Sequence, residues 1–163
     1  MITLEKYWMG RDIQYRAMLN HEIIQNAQVT VDKANQLLKA FKAETKITID
    51  TVASGWRPPA VNGNTKNAAT GSRHLTARAV DLRDTPERDL ARWCLRNLKA
   101  LEDIGLWMED PQWTWDEQGG GKPWVHLQIL PPRSGRRVYI PSTKPAMARL
   151  LPEQGGDAQG ALA

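Results

Sequence analysis

The chain has three histidines in 163 residues, and two of them stand where a metal could be bound. His74 precedes Asp81 by seven positions and would lie on a loop, with the aspartate on the strand that follows. His126 lies in an alternating segment, where it would share one face of a strand with Trp124 and Gln128. A histidine on the face of a strand that does not enter the core is well placed for a functional site.

Two histidine nitrogens and one carboxylate oxygen are a typical ligand set for catalytic zinc, with the fourth position open to water. Zinc polarises a carbonyl group and lowers the pKa of bound water to about 7, so this set suits hydrolysis at neutral pH. Spacing alone favours a simpler interpretation, in which both histidines are merely hydrogen-bonded. His21 has no partner in the sequence and is interpreted as a surface or capping residue. The single cysteine, Cys94, rules out an internal disulfide and a cysteine-rich zinc site.

The elements that would position these residues follow from the apolar pattern. Asn20 is predicted to cap a helix that runs to about Ala43, and a second helix begins at Thr85-Pro86-Glu87 and ends at Gly105. Strands are predicted at 47–52, 77–82, 106–109, 124–130 and 138–140, with a loop at 58–64. This order predicts an α+β fold with a small antiparallel sheet and helices packed against it. We expect a single domain over residues 1–151 and a mobile tail over 152–163.

Composition narrows the class of protein. Hydrophobic residues make up 41% and charged residues 25% of the chain, as in ordinary globular domains. No apolar run approaches the roughly eighteen residues of a membrane span, so membrane insertion is not expected. The first residues do not form a secretory signal, so a protein made in the cytoplasm would need another route to a substrate outside it. The net charge of +4 is scattered, and no helix-turn-helix or aromatic-basic motif indicates nucleic-acid binding.

Three short motifs, which follow one another along the chain, contain the candidate ligands. They are Ser54-Gly55-Trp56-Arg57-Pro58, then Ser72-x-His74-x-x-Ala77-x-Ala79-x-Asp81, then Trp124-Val125-His126. In combination, over residues 45–130, they resemble the zinc D-Ala-D-Ala carboxypeptidase family. That family includes VanY-type carboxypeptidases and phage L-alanyl-D-glutamate endopeptidases, and it shares its metal site with the hedgehog signalling domain.

The resemblance implies a hedgehog-like or DD-peptidase-like fold and a role for each matching residue. His74, Asp81 and His126 would bind zinc. Arg57 would hold the substrate or stabilise the oxyanion, and Ser72 would steady its loop or touch the substrate. The implied activity is hydrolysis of peptide bonds in the stem peptides of peptidoglycan. It would be performed by a monomer that acts on the cell wall after phage or prophage release, or from a virion.

Two further groups of residues would contribute to substrate binding. Trp124 and Gln128 share the strand face of His126 and are expected to contact the substrate. Four tryptophans flank the predicted site and could line a peptide or sugar groove, although packing is the simpler interpretation for each of them; they are Trp56, Trp113, Trp115 and Trp124.

The sequence departs from the family pattern at two points. The family glycine is replaced by Ala77, which we expect only to tighten the loop. Many members also carry a carboxylate a few residues before the last histidine, where this chain has Gly121-Lys122-Pro123. The catalytic base must therefore come from elsewhere, and the candidates are Glu109, Asp110, Asp116 and Glu117.

Glu109 is the favoured base because it ends a predicted strand that would pair with the strand of His126, and a strand positions a side chain rigidly. Asp116 is second, because the loop Gly119-Gly120-Gly121 could fold it back over the metal. The missing neighbouring carboxylate also supports an alternative function. The chain would then be a zinc-stabilised cell-wall-binding module or virion structural module that has lost catalysis.

Overall fold

A long helix and a five-stranded sheet form the core of a computed structural model that describes residues 1–66, 68–114 and 121–141. The helices are α1 (Leu4–Trp8), α2 (Arg11–Gln14), α3 (His21–Thr45), α4 (Pro59–Gly63), α5 (Asp89–Arg96) and α6 (Leu98–Ile104). The strands are β1 (Val52–Ser54), β2 (Ala79–Arg83), β3 (Trp107–Glu109), β4 (Trp124–Gln128) and β5 (Val138–Tyr139). The predicted tail over 152–163 lies outside the described residues.

The sheet has the order β1-β2-β4-β3-β5. Strands β1, β2, β4 and β3 pair antiparallel, whereas β5 joins the edge of β3 in parallel. The α+β prediction is therefore confirmed, and the sheet differs from the predicted one by its parallel edge strand. That pairing depends on where the chain returns after β4, which the local pattern of residues 138–140 does not encode.

Helix α3 confirms the predicted first helix. The side chain of Asn20 accepts the N–H of Ile23 at 2.8 Å, and the helix ends where Lys46 adopts a left-handed conformation. The helix packs against β2 of the sheet and against α1 and α6. Its buried residues are Ala27, Thr30, Val31, Ala34, Leu37, Leu38 and Phe41. None of the described helices combines the length and apolar character that crossing a membrane requires.

The first predicted strand is misplaced. Residues 46–51 are not in a strand, and β1 begins only at Val52. Alternation in this segment is real, because Ile49 is buried while Thr48 and Asp50 are exposed. However, β1 pairs with β2 through Val52↔Leu82, and β2 ends at Arg83. Residues before position 51 therefore have no strand to pair with.

Two other predicted elements differ in detail. The predicted loop at 58–64 contains α4, which starts at Pro59, a residue tolerated in the first turn of a helix. The predicted second helix divides at Asn97 into α5 and α6. Its predicted start at Thr85-Pro86-Glu87 is wrong, because α5 begins only at Asp89. The carboxylate of Asp84 accepts the N–H groups of Leu90 and Ala91 in this first turn at 2.9 Å. The predicted end at Gly105 is confirmed, with φ of 75°.

Candidate metal centre

The sheet places Asp81 and His126 side by side. The two residues are direct partners in the antiparallel pairing of β2 with β4, so their side chains leave the same face of the sheet. The apolar neighbours Val80 and Val125 point to the opposite face and are buried in the core. This arrangement follows from the alternation of each strand and from the register between them.

His74 reaches the same point from a 3₁₀ helix, Arg73–Thr76, that precedes β2. The hydroxyl of Ser72 accepts the backbone N–H of His74 at 3.3 Å and caps this helix. Ala77 ends it with φ of 56°, a left-handed conformation that favours glycine. The glycine of the family pattern at this position therefore has a conformational reason, and Ala77 is tolerated although its backbone is left-handed.

The imidazole of His74 is oriented by the backbone. Its Nδ1–H donates to the carbonyl oxygen of Gly55 at 2.7 Å, so the lone pair of Nε2 faces the other two residues. Such a hydrogen bond on the distal nitrogen is the usual companion of a histidine that binds a metal. The motif around Gly55 thus acts on the predicted metal centre by fixing the tautomer of His74.

The three candidate ligand atoms converge. His74 Nε2 lies 3.3 Å from His126 Nδ1 and 3.3 Å from Asp81 Oδ1, and His126 Nδ1 lies 2.7 Å from Asp81 Oδ1. Zinc bonds of about 2.0–2.2 Å in tetrahedral geometry hold ligand atoms roughly 3.3–3.5 Å apart. Two separations already match, and the third needs to widen by about 0.6 Å to do so. The group can therefore hold a metal ion.

The electrostatics of the cluster also suit a cation. Burial lowers the pKa of His74, which keeps its imidazole neutral. Burial alone would raise the pKa of Asp81, but the two neighbouring imidazoles, with the hydrogen bond from His126 Nδ1–H at 2.7 Å, outweigh it and hold that pKa far below its usual range. Burial likewise opposes the charged form of His126, yet its hydrogen bond to Asp81 raises its pKa. The carboxylate of Asp81 is therefore ionised and can bind a metal ion. Such an ion would displace the Nδ1 proton of His126, which lies between the two side chains.

An open cavity of about 1130 Å³ reaches Asp81 and His126. Five other predicted site residues also line it, namely Arg57, Ser72, Glu109, Trp124 and Gln128. The third candidate ligand, His74, is fully buried behind them and does not line the cavity. Asp116, the second candidate base, lies outside the described residues, as does Glu117. Asp110, another candidate, does not line the cavity and instead accepts the N–H of Gln112 at 3.2 Å.

Glu109 and Arg57 stand on the walls near the metal centre. The pairs Trp107↔Gln128 and Met108↔Leu127 confirm that the strand of Glu109 pairs with the strand of His126. The same register, continued by one residue, brings Glu109 level with His126 on the same face of the sheet. Arg57 is only 9% exposed, and its Nη2 donates to the hydroxyl of Ser72 at 3.4 Å. Its buried Nε has no hydrogen-bond partner among the described residues.

The tryptophans divide between core and cavity. Trp56 is buried, lies edge-on to Trp8 with ring centroids 5.8 Å apart, and donates its indole N–H to Leu75 O at 3.1 Å. For Trp56 the packing interpretation is therefore right. Trp113 and Trp124 line the cavity, and Trp115 lies outside the described residues.

Tyr139 and Arg11 are among the cavity residues that the sequence analysis did not predict. Tyr139 on β5 donates its hydroxyl to Gln128 Oε1 at 2.7 Å, and its ring lies edge-on to His126 at 6.5 Å between centroids. Arg11 comes from the N-terminal helices and donates to the carbonyl oxygen of Trp56 at 2.7 Å. A predicted strand at 138–140 was the only signal for Tyr139, and no motif marks Arg11.

Gly55→Ala is expected to destabilise the protein and weaken metal binding. A Cβ at Gly55 would lie 1.8 Å from the carbonyl oxygen of Tyr7, so the backbone whose carbonyl accepts the hydrogen bond from His74 must move. Such overpacking costs about 1–3 kcal/mol or more. Urea unfolding and metal content measure both effects. Gly71→Ala is the control, because a Cβ there meets nothing within 4 Å; equal unfolding midpoints for the two variants would contradict the prediction.

Comparisons with models of protein families, with curated proteins and with solved structures find no match to this chain. The resemblance to the zinc carboxypeptidase family therefore stays a prediction based on the motif residues. The assignment of a candidate metal centre does not depend on that resemblance, because it follows from the geometry of His74, Asp81 and His126 in this fold.

Proposed function

We propose that this chain is a zinc-dependent peptidase that hydrolyses peptide bonds in the stem peptides of bacterial peptidoglycan. The observation that carries the proposal is the His74, Asp81 and His126 cluster at an open cavity. Two imidazoles and one carboxylate are a ligand set typical of catalytic zinc, whereas sites for magnesium or calcium use oxygen ligands. The motif resemblance supports the peptidoglycan substrate.

The roles of the chain's own residues follow from their positions. Zinc, when bound, would supply a Lewis acid for the scissile carbonyl and would lower the pKa of a water molecule to about 7. Glu109 accepts a proton from the attacking water and passes it to the nitrogen of the leaving amine. Arg57 donates N–H groups to the carbonyl oxygen as negative charge develops on it. Trp124 and Gln128 contact the peptide along the strand face they share with His126.

Glu109 is suited to this role by its setting. It ends β3, whose residues Trp107 and Met108 pair with β4, and Glu109 itself pairs with Tyr139 of β5. Its side chain is half-buried at the cavity wall. A carboxylate on a rigid strand is held at a fixed distance from the metal centre, as proton transfer requires.

Arg57→Ala is expected to slow cleavage of purified peptidoglycan by about a hundredfold to a thousandfold, the usual loss for one oxyanion donor. Binding to the wall should weaken far less, because the donor acts mainly when negative charge develops. Turnover and a pelleting assay for wall binding separate the two quantities. Arg92→Ala, at an exposed position on α5, is the control; an equal loss of binding and cleavage in Arg57→Ala would assign Arg57 to ground-state binding alone.

Digestion of purified peptidoglycan tests the proposed function. The metal-loaded protein should release new peptide termini, a chelator should stop the reaction, and added zinc should restore it. Mass spectrometry of the fragments identifies the bond and separates a carboxypeptidase, which releases a single D-alanine, from an endopeptidase. Wall binding without new termini would favour the non-catalytic module. New reducing sugars would indicate a glycosidase and would overturn the reaction class.

A further inference from the structure

Positive charge is concentrated in the cavity. Its lining includes five basic residues, Arg11, Arg57, Lys66, Arg73 and Arg133, against two acidic residues, Asp81 and Glu109. The whole chain, by contrast, carries 22 basic and 18 acidic residues. A divalent metal ion would increase the excess of positive charge further. The cavity is therefore adapted to an anion rather than to a neutral peptide.

The basic residues form two groups. Arg11 and Arg57 lie near the metal centre, where the charge of Asp81 acts on both guanidinium groups. Lys66, Arg73 and Arg133 form a second group, here called the cationic rim. Its members come from the loop after α4, from the 3₁₀ helix that carries His74 and from the loop after β4. Three separate segments thus bring positive charge to one cavity.

No described carboxylate forms an ion pair with the cationic rim. Other surface cations of this chain do find partners, since Arg78 pairs with Glu22 at 2.8 Å and Lys6 pairs with Asp50 at 3.2 Å. Like charges gathered at one cavity repel each other unless an anion lies between them. Asp81, one of the two acidic residues of the cavity, is instead held by His74 and His126. No ion pair between described residues therefore neutralises the rim.

We propose that the cationic rim binds a free carboxylate of the substrate, so that the site prefers acidic stem peptides to amidated ones. The inference rests on the proposed function and specifies its substrate class. A stem peptide can present such a carboxylate within a residue or two of the scissile bond, a span of about 4–7 Å. The rim residues line the cavity of the metal centre, which favours an anion on the reacting peptide over an extended polymer that spreads its charge across the surface.

Two synthetic stem peptides test this inference. They share one sequence and one C-terminus, and differ only in whether the internal carboxyl groups are free or amidated. The wild-type protein should cleave the free acid with a kcat/KM about tenfold higher, because a charged hydrogen bond is lost on amidation. This preference should shrink as the salt concentration rises, since exposed charges are screened.

The double variant Lys66→Ala/Arg133→Ala should bring the ratio of the two kcat/KM values close to one. Arg136→Ala is the matched control, because Arg136 is exposed in the same loop as Arg133 and does not line the cavity. It should keep the wild-type ratio. Circular dichroism and metal content establish that each variant is folded and loaded.

Failure of the inference is distinguishable from failure of the proposed function. Equal cleavage of both peptides by the wild-type protein would overturn the role of the rim and leave the peptidase intact. If neither peptide is cleaved, fluorescence anisotropy of labelled peptides decides, and tighter binding of the free acid only with an intact rim supports the inference. Rim substitutions that weaken binding to poly(glycerol phosphate) but leave the peptide ratio unchanged would assign the rim to an anionic polymer and overturn it.

Discussion

Replacing His74 with alanine is expected to remove the metal ion from the protein and to abolish hydrolysis. One of three ligands is lost, and loss of even an outer hydrogen-bond partner commonly costs about tenfold to a hundredfold in metal affinity. Asp81 would then share its buried site with His126 alone. Elemental analysis of the purified, dialysed protein measures the effect, with one zinc per chain expected for the wild type and a small fraction of that for His74→Ala.

The chain contains its own control for this experiment. His21 is exposed at the start of α3, so His21→Ala removes an imidazole of the same type from the surface and should keep full metal content. A chelator should also lower the melting temperature of the wild type, because an ion that binds only the folded state stabilises it. Full zinc content in His74→Ala would refute the assignment of the metal centre.

Glu109→Gln is expected to retain the fold and the metal while losing most turnover. The amide has nearly the shape of the carboxylate but cannot accept the proton, and a general acid–base group typically contributes about a hundredfold to ten-thousandfold. The loss should appear in kcat more than in KM, because proton transfer occurs in the transition state. Initial rates on a stem peptide, together with metal content, measure this.

Glu102→Gln makes the same chemical change at an exposed position on α6 and should keep wild-type rates. Asp116→Asn tests the second candidate, which the described part of the structure does not include. A fully active Glu109→Gln protein together with an inactive Asp116→Asn protein would show that the loop carries the base. Loss of activity in neither variant would indicate that another group moves the proton.

Local patterns predicted the elements that carry their own signals. The apolar pattern and the Asn20 cap predicted α3, because a helix is held by contacts within a few residues along the chain. Alternation predicted that His126 and Gln128 face away from the core, since side chains in a strand change sides at every residue. The segment 47–52 shows the limit of this reasoning, because its alternation is equally clear but no strand lies beside its first residues.

The candidate site was predictable where ligands and motif residues have distinctive chemistry, as at His74, Asp81, His126 and Arg57. Arg11 and Tyr139 were not predictable, because an arginine or a tyrosine outside any motif does not indicate where in the fold its side chain will lie. Glu109 lies between these cases. Its place on a strand was visible, but its usefulness depends on β3 pairing with β4 in a register that brings Glu109 level with His126.

The sequence by itself determined the types of ligand, the faces of the strands and the α+β class, because these depend on neighbours along the chain. Only the tertiary structure decided that the three ligand atoms converge, that β5 joins in parallel and that Lys66, Arg73 and Arg133 reach one cavity. Convergence requires contacts between residues as far apart as His74 and His126. Such contacts are set by register, by the packing of α3 on the sheet and by close approaches such as Gly55 on Tyr7, which no local pattern records.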